Sequence, residues 1–351
     1  MEKGIYIKEL PEAGAISGIF CVAEKRLLQT KNGAPYLALT LIDNSGEVEA
    51  RLWENAQELA QLFEKGDFLF VSGECQKFRD AVQIKINNLQ RLSEDQVEPM
   101  AFLPASEADL DVLWRDFVKL SRQVKDSNLA ILLRTMVKDG RFKELFTTAP
   151  AAKRMHHAYL GGLLEHSVSV AKLALQVLKH YAHLDKDLLL AGALLHDIGK
   201  TRELSYTKPP IDYTDEGRLI GHLVLGTQEV DYYAKIGGLN ENLEIFTRLK
   251  HMILSHHGQR EYGAPVLPMM EEGVVLHLID DMDAKLNYLN SLKMSLEGNR
   301  HQWTQYQRIM DRYFLLNPEQ GETADNNRSN KSGKEEDAPA GQRKLWDSFD
   351  M

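Results

Sequence analysis

Histidine and aspartate residues that could bind a metal ion recur in the second half of the sequence. All twelve histidines lie between His156 and His301, and the preceding residues contain none. The side chains that could act together are His166, His196, Asp197, His222, His256, His257 and Asp280. Imidazole and carboxylate are ligands that divalent transition metals prefer, and one site normally uses at least three of them. This distribution predicts a metal centre in the second half and different chemistry in the first.

Two helices are predicted to carry the first of these side chains. Residues 162–181 have apolar residues at helical spacing and contain His166, whereas residues 187–197 end on His196 and Asp197. Gly199 follows where a glycine commonly ends a helix. The turn around residues 183–186 is short, so the helices should pack as an antiparallel hairpin. We therefore expect His166 to approach His196 and Asp197.

Spacing does not determine which acid of the last helix joins them. The predicted core stripe of that helix comprises Val275, Ile279, Met282, Leu286 and Leu289. Asp283 would then lie at the edge of the stripe and Asp280 farther round. Asp283 is also a candidate for supporting a ligand from outside the site. His277, one turn before Asp280, could orient it, and helical periodicity continues to about residue 315.

The remaining histidines are predicted to have other roles. Three lie among surface-type residues and should be exposed and inert: His180, His183 and His301. His251 precedes His256 by five residues, about 140° around a helix, so both cannot easily face one ion. His156 and His157 could contact a substrate or simply begin a helix.

The first half has the pattern of a small β-barrel. Residues 15–23, 36–41, 48–52, 68–75 and 81–89 are short segments rich in β-branched and aromatic residues and bounded by turn signals. Residues 54–63, between the third and fourth segments, read as a short helix. This order is typical of an OB-fold, a barrel whose face commonly binds oligonucleotides.

Cationic and aromatic residues lie in or beside the proposed strands, the general arrangement for binding single-stranded nucleic acid. The cations are Lys25, Arg26, Lys31, Arg51, Lys77, Arg79 and Lys85, and the aromatics are Tyr36, Trp53, Phe70 and Phe78. The competing interpretation is that these aromatics belong to the core. We expect Phe78 and Arg79, at a turn-like edge, and Trp53 to contact nucleic acid. The net charge of −9 argues against binding by overall charge alone.

Composition divides the chain into four parts. Residues 1–95 form the predicted OB-fold, 96–155 a linker and helical connector, 156–316 an all-α domain, and 317–351 a disordered tail. Ser106 and Asp109 resemble a capping box at the start of the connector helices. The aromatic residues Trp346 and Phe349 make the end of the tail either a protein-docking peptide or a frayed end.

The sequence favours a cytoplasmic location without a membrane span. The first ten residues carry charges where a signal peptide needs an apolar run, and the longest apolar stretch, residues 188–195, is too short to cross a bilayer. Cys21 and Cys75 are too few for a disulfide framework or a four-cysteine zinc site, and we expect them to be buried strand residues.

The metal-ligand pattern resembles the HD superfamily of metal-dependent phosphohydrolases. The most recognisable string is His196-Asp197-Ile198-Gly199-Lys200, and longer strings lie at residues 156–167, 221–222, 255–258 and 280–285. Together with the OB-like first half, the sequence resembles the YhaM family of bacterial 3′→5′ exoribonucleases over roughly residues 10–315.

The resemblance implies roles for individual residues. His166, His196, Asp197 and Asp280 would bind a first divalent transition metal ion, with Mn²⁺ expected. His222 and His256 would complete a second position that shares Asp197, with His257 as a weaker candidate. Such ions lower the pKa of water and stabilise the charge on the attacking and leaving oxygens. Asp197 and Lys200 are the predicted catalytic residues. Lys200 would contact a phosphate oxygen unless it is an ordinary lysine at a helix end.

Three functional hypotheses follow. The leading one is a 3′→5′ exoribonuclease of single-stranded RNA, with single-stranded DNA as a further substrate and a homo-oligomer as the expected assembly; polarity and RNA preference come from the resemblance. A second is an HD phosphohydrolase of small or cyclic nucleotides, against which the OB-fold argues. A third is a non-enzymatic RNA-binding adaptor, against which the complete set of ligands argues.

Overall fold

The computed structural model describes residues 3–78, 81–98, 102–153, 157–294, 296, 298 and 300–318. The chain divides into one unit that ends at Ser291 and a second that begins at Leu292. Among these described residues, no helix combines the length and the apolar character needed to cross a membrane.

A closed five-stranded barrel forms the first part of the first unit. Its strands are β1 Gly14–Gln29, β2 Pro35–Asp43, β3 Gly46–Leu52, β4 Phe68–Phe78 and β5 Ala81–Leu92. Around the barrel the order is β1-β2-β3-β5-β4, and β3 pairs with β5 in parallel whereas the other paired strands are antiparallel. Helix α1 Ala56–Leu59 lies between β3 and β4. The predicted OB-fold is confirmed, although α1 is shorter than the predicted helix.

Alternation along the strands builds the barrel core. In β2, Leu37, Leu39 and Leu41 are buried, while the residues between them are partly exposed. Both cysteines are buried, as expected. Gly73 lies at a bulge of β4, where an added Cβ would be 2.2 Å from the carbonyl oxygen of Lys85. Glycine therefore allows β4 and β5 to approach closely where the barrel bends.

Three helices follow the barrel: α2 Leu110–Ser121, α3 Ser127–Lys138 and α4 Gly140–Thr148. The predicted capping box is wrong in detail, because Asp109 is itself the N-cap of α2 and accepts hydrogen bonds from the amides of Asp111 and Val112. The hydroxyl of Ser106 instead donates to Glu165 at 2.5 Å. Asp126 and Asp139 cap α3 and α4 in the same way.

Seven further helices follow among the residues that the structure describes. They are α5 Gly162–His180, α6 Lys186–Leu195, α7 Lys200–Glu203, α8 Asp215–Ile220, α9 His222–Ile236, α10 Glu244–Ser255 and α11 Glu271–Met294. A small hairpin, β6 Leu204–Ser205 with β7 Asp212–Tyr213, separates α7 from α8. The apolar faces of α2–α6 and α9–α11 form one buried core, which includes Phe117, Leu132, Phe146, Leu190, Phe246 and Leu276.

The second unit contains a hairpin instead of the helix predicted to about residue 315. Strands β8 Gln302–Trp303 and β9 Leu315–Leu316 pair antiparallel, and the rings of Tyr306 and Tyr313 lie 5.2 Å apart between them. The prediction that helical structure continues to about residue 315 is therefore wrong for this segment. The predicted disordered tail lies outside the described residues from position 319 onward.

Candidate metal centre

Five structural elements bring the predicted ligands together. Helix α5 carries His166, the turn between α6 and α7 carries His196 and Asp197, α9 begins at His222, His256 follows α10, and α11 carries Asp280. The expected approach of α5 and the end of α6 is present, because His166 Nε2 lies 3.1 Å from His196 Nε2. Both histidines are almost completely buried, as are Asp197 and His256.

The first cluster comprises His166, His196, Asp197 and Asp280. His166 Nε2 lies 3.0 Å from Asp280 Oδ1 and 3.7 Å from Asp197 Oδ2. His196 Nε2 lies 3.5 Å from Asp197 Oδ2 and 3.6 Å from Asp280 Oδ1. Two ligand atoms that are each about 2.0–2.2 Å from one ion lie about 3 Å apart. These separations are therefore compatible with one shared divalent cation.

The other carboxylate oxygen of Asp197 faces a second cluster. Asp197 Oδ1 lies 3.6 Å from His222 Nε2 and 3.4 Å from His256 Nε2. His257 completes the group, since its Nε2 lies 3.3 Å from His222 Nε2. The ligand atoms of the three histidines all lie within 4.8 Å of one another. Geometry thus groups His257 with the two histidines ranked above it.

Every histidine of the two clusters has Nδ1 beside an oxygen atom, with Nε2 facing the cluster. The partners are Asp283 Oδ2 for His166 at 2.8 Å, Ala193 O for His196 at 3.1 Å, Glu203 Oε1 for His222 at 2.9 Å, Ile253 O for His256 at 2.7 Å, and Tyr262 O for His257 at 2.7 Å. Because these oxygens accept hydrogen bonds, the network assigns the proton to Nδ1. Each Nε2 can then present a lone pair inward once an ion replaces any proton there, as metal-ligating histidines do.

Asp283 supports His166 from outside the clusters. Its Oδ2 lies 2.8 Å from His166 Nδ1 and 3.2 Å from His157 Nε2, and Ser169 donates a hydrogen bond to its Oδ1. Burial alone would raise the pKa of Asp283, but the hydrogen bonds from His157 and His166 lower it below its usual value. Of the two interpretations left open for Asp283, this geometry favours the supporting one.

The predicted core stripe of α11 is correct at Val275 and Ile279, which pack against or within the core, and wrong at Met282 and Leu286. The buried residues of α11 are Gly273, Leu276, Ile279 and Asp283. Met282 and Leu286, which belong to the predicted stripe, are 41% and 58% exposed. Apolar residues occur on more than one face of this helix, so their spacing could not show which face packs against the core.

Glu203 is a site residue that sequence reasoning missed. Its Oε1 lies 2.9 Å from His222 Nδ1 and accepts a hydrogen bond from the His222 amide at 3.0 Å. Burial alone would raise the pKa of Glu203, but its hydrogen bonds with His222 lower it. The available signal was its position, three residues after Lys200 in a segment already rich in site residues.

Gly199 positions α7 against α9. Its backbone is right-handed, with φ −63° and ψ −19°, and it is the N-cap of α7, whereas α6 already ends at Leu195, so the prediction that Gly199 ends α6 is wrong. A Cβ at Gly199 would lie 2.0 Å from the carbonyl oxygen of His222 and 2.6 Å from the amide nitrogen of Gly226. The missing side chain therefore allows the close approach that brings His222 to Asp197.

The charges within the clusters fit a bound cation. Burial alone would raise the pKa values of Asp197 and Asp280, yet both are lowered: Lys200 and His196 act on Asp197, and His166 and His196 act on Asp280. Burial opposes protonation of His196, but Asp197 and Asp280 outweigh it and raise the pKa of His196 to about 10. These buried carboxylates thus require nearby positive charge, which a divalent ion would supply.

Asp197 also has a carboxylate oxygen that is available to bind an ion. Its Oδ1 is buried and receives no hydrogen bond of good geometry from the described residues. Leaving a buried carboxylate oxygen without a partner is unfavourable. The orphaned oxygen faces His222 and His256, so the donor set fits a metal ion at the second cluster.

A cleft of ≈490 Å³ opens beside the two clusters. The lining residues include Lys153, Lys200, Tyr213, His222, His257 and Asp280. Lys200 Nζ donates a hydrogen bond to Asp197 Oδ2 at 2.6 Å. Its ammonium group is therefore fixed where the cleft meets the shared aspartate.

The other histidines occupy varied positions. His180, His183 and His301 are exposed, as expected. His251 accepts a hydrogen bond from the Met269 amide at 3.0 Å, and His277 Nδ1 lies 2.9 Å from the carbonyl oxygen of His256. His157 is buried beside Asp283. His156 lies outside the described residues.

The structure describes some of the barrel residues that were predicted to contact nucleic acid. Trp53 is 43% exposed and stacks on Tyr36, with ring centroids 4.7 Å apart, and Phe78 is 50% exposed. Arg79 lies outside the described residues. Lys25 donates to the carbonyl oxygens that end the α1 segment, so it serves the fold rather than an open groove.

Comparison with known proteins identifies both parts of the chain. A family model of the HD domain matches residues 163–285, and one of an OB-fold nucleic acid binding domain matches residues 21–92.

Full-length relatives agree with these matches. The 3′-5′ exoribonuclease YhaM of Oceanobacillus iheyensis is 35% identical over 291 residues, which cover 82% of this chain and 89% of that protein. The Bacillus subtilis protein of the same name is 34% identical over 293 residues, with coverages of 83% and 90%. That of Listeria innocua is 35% identical over 285 residues, with coverages of 80% and 89%. The chain therefore belongs to the YhaM family of 3′-5′ exoribonucleases.

Proposed function

We propose that this protein removes nucleotides from the 3′ end of single-stranded RNA by metal-dependent hydrolysis of phosphodiester bonds. The observation that carries the proposal is the pair of His/Asp clusters that share Asp197 beside an open cleft. The OB-fold barrel supports a single strand as the substrate, and family membership supports the polarity and the preference for RNA. Single-stranded DNA is a further substrate under this proposal.

The ligand assignment follows the two clusters. His166, His196, Asp197 and Asp280 hold a first ion, and a second is held by His222, His256 and His257 together with the shared Asp197. The carboxylate ligands suit Mn²⁺, which is the proposed ion, whereas imidazole ligands also suit iron and zinc. When bound, such ions lower the pKa of water and neutralise charge on the phosphate.

The protein side chains orient the reactants. Asp283 and Glu203 hold the rings of His166 and His222, so the imidazoles need no reorganisation during the reaction. Lys200 is held by its hydrogen bond to Asp197 and lines the cleft, where its ammonium group contacts a phosphate oxygen of the substrate. The described residues that line the cleft include no serine, threonine or cysteine, which supports water as the nucleophile. In the barrel, Phe78, Arg79 and Trp53 contact the strand.

A cleavage assay separates this proposal from its alternatives. The substrates are a 5′-labelled single-stranded RNA and a panel of small and cyclic nucleotides, each with and without Mn²⁺, and the metal content of the purified protein is measured in parallel. We expect bound transition metal and a ladder of products shortened from the 3′ end. Hydrolysis of nucleotides alone would instead indicate a small-nucleotide phosphohydrolase. RNA binding without metal or hydrolysis would indicate an adaptor.

We predict that Asp197→Ala abolishes hydrolysis, because both clusters lose their shared ligand. RNA should still bind, since the barrel does not depend on this residue. The measurement pairs single-turnover cleavage with RNA binding by fluorescence anisotropy, and Asp95→Asn, an exposed change near the barrel end, is the control. Wild-type turnover in Asp197→Ala would contradict the metal-site assignment.

We also propose the organisation of the chain around this activity. Residues 1–95 form the strand-binding domain, 96–155 the connector, 156–316 the hydrolase domain and 317–351 a tail. The protein acts in the cytoplasm as a homo-oligomer, and its tail docks to other proteins. Light scattering of the purified protein tests the oligomer, and truncation after residue 316 tests the tail.

A further inference from the structure

Three cations surround one carboxylate between the barrel and the helical part of the first unit. Lys153 Nζ lies 2.6 Å from Asp212 Oδ1, Arg218 Nη2 lies 2.9 Å from the same oxygen, and Lys65 pairs with Asp212 Oδ2. Lys65 belongs to the barrel segment between α1 and β4, and Arg218 belongs to α8. Lys65, Lys153 and Arg218 are called the cationic cluster below.

The cationic cluster carries more positive charge than Asp212 neutralises. One carboxylate faces three cations, and burial of Asp212, which would raise its pKa, is outweighed by Lys153 and Lys65, which lower it. Asp212 is therefore ionised at neutral pH and leaves a local surplus of two positive charges. The side chains of Lys65 and Arg218 are 44% and 56% exposed, so this charge is open to a ligand.

The cationic cluster also connects the barrel with the metal clusters. Lys153 and Tyr213 line the cleft, and the Tyr213 ring centroid lies 5.4 Å from Lys153 Nζ and 5.5 Å from Arg218 Cζ. Directly after β7, the Thr214 amide donates to the carbonyl oxygen of Glu203, next to the metal clusters.

The loop between β6 and β7 also contacts the barrel and the segment that follows β5. Cys21 Sγ donates to the carbonyl oxygen of Pro209 at 3.5 Å, and Lys208 pairs with Glu94 at 3.1 Å. The hairpin that carries Asp212 thus spans from barrel to cleft. A strand held on the barrel and cleaved at the metal clusters would pass along this hairpin.

We propose that Lys65, Lys153 and Arg218 form a phosphate-binding site that holds the backbone of the single strand between the barrel and the cleft. The inference rests on the proposed function, because it assigns a path to that substrate. Each internucleotide phosphate carries one negative charge, which lysine meets as a point charge and arginine with a pair of donors. The site contacts the backbone and is therefore expected to be indifferent to base sequence.

Equilibrium binding of a labelled strand tests this site. The full chain in EDTA is titrated into a fluorescein-labelled oligoribonucleotide of about 20 nucleotides, longer than the site of one OB-fold, at several salt concentrations. EDTA prevents cleavage, and the cationic cluster includes none of the assigned metal ligands. Arg218→Gln and Lys65→Gln should each weaken binding several-fold and reduce the slope of log affinity against log salt by about 0.7, the value for one single-strand phosphate contact.

Two matched variants separate binding from a structural role. Lys235→Gln removes a comparably exposed lysine at the carboxyl end of α9, which pairs with Glu241. Its RNA affinity and salt slope should match those of the wild type. Asp212→Asn removes the competing carboxylate and keeps the side-chain shape, so the charge surplus grows from two to three. It should tighten RNA binding and steepen the salt dependence, whereas a purely structural salt-bridge cluster would be weakened by the same change.

The outcomes distinguish this inference from the proposed function. If the wild type cleaves RNA but Arg218→Gln and Lys65→Gln keep the wild-type salt slope, the phosphate site is overturned and the function stands. If the wild type binds RNA through the cationic cluster without cleaving it, the proposed function fails and the site stands. If Arg218→Gln proves unfolded by circular dichroism, Lys65→Gln and Asp212→Asn decide, and looser binding in Asp212→Asn overturns the site.

Discussion

A histidine that binds a metal ion through one ring nitrogen is aimed by what its other ring nitrogen touches. Here backbone carbonyls hold His196, His256 and His257, so those rings are oriented by the helix ends themselves. His166 and His222 depend on side chains instead, Asp283 and Glu203 respectively. Only these two supports can be removed by mutation without changing the backbone.

At this scale we predict that Asp283→Ala weakens Mn²⁺ binding by about 10–100-fold, the usual cost of losing a residue that orients a metal ligand. Asp283→Asn should lose less, because its amide oxygen can still accept the His166 proton. Isothermal titration with Mn²⁺ in the apo protein measures the affinity. Glu271→Gln, at the exposed start of α11, is the matched control. Equal affinities for Asp283→Ala and the wild type would remove Asp283 from the support of the site.

At the scale of elements, the site depends on how closely neighbouring elements approach. Helices α7 and α9 meet at Gly199, where backbone lies against backbone, and this contact brings Glu203 and His222 together. The amino-terminal segment meets the barrel through Asp43, which accepts hydrogen bonds from Lys3 Nζ at 2.8 Å and the Ile7 amide at 3.0 Å. The contact at Gly199 depends on steric fit, so a larger side chain should disturb it. The contact at Asp43 depends on charge, so a change of pH should disturb it.

Gly199→Ala should destabilise the protein by about 1–3 kcal/mol or more, because the new methyl group would overlap backbone atoms that cannot rotate away. Metal binding at the His222 cluster should weaken as well. Gly140→Ala is the control, since a Cβ there meets nothing within 4 Å. Alanine lowers the entropy of the unfolded chain, so this control should be neutral or slightly stabilising. Urea unfolding measures both variants, and equal stability for the two would contradict the packing argument.

The Asp43 contact should make stability depend on pH. Burial alone would raise the pKa of Asp43, but hydrogen bonds from Lys3, Ser45 and Ile7 lower it below its ordinary value of 3.8. The folded state therefore binds its proton less readily than the unfolded state. The resulting stabilisation is present above about pH 4 and is lost as the pH falls through the lowered pKa. Burial lowers the pKa of Lys3 despite its partner, which shows that forming the pair also costs desolvation.

Asp43→Asn should reduce the free energy of unfolding at pH 7 by about 1.5–3 kcal/mol, the range for hydrogen bonds to a charged group. The difference from the wild type should shrink as the pH falls below about 4 and through the lowered pKa of Asp43, because the wild-type carboxylate becomes protonated. Guanidinium unfolding at each pH measures it, with Glu54→Gln at an exposed position as the control. A difference that stays constant with pH would rule out this electrostatic contribution.

At the scale of the whole molecule, the proposed function assigns hydrolysis and strand binding to two differently built parts. The barrel has a core of its own, and the helical part has a second core around which the ligands are arranged. Buried carboxylates inside the helical part destabilise it unless positive charge is supplied. Bound metal should therefore contribute to the stability of the fold as well as to catalysis.

We predict that removing the metal with EDTA lowers the thermal midpoint of the helical part and that Mn²⁺ restores it. An ion present at about 100 times its Kd would stabilise the folded state by about 2.7 kcal/mol. Differential scanning fluorimetry measures the shift. Asp197→Ala should show little response to EDTA or Mn²⁺, because both clusters need that residue. A wild-type midpoint that does not respond to either reagent would contradict metal binding.

Sequence by itself was sufficient for the barrel order, the pairing of α5 with α6 and the family, because alternation, helical spacing and a contiguous His-Asp motif are local patterns. It could not choose between Asp280 and Asp283, reveal Glu203 or rank His257, because these depend on which face of α11 is covered, on where α7 and α10 end and on where α9 begins. The cationic cluster likewise joins Lys65, Lys153 and Arg218 from distant segments. Only tertiary packing brings such residues together, since the spacing of residues along the chain does not determine the distance between helices.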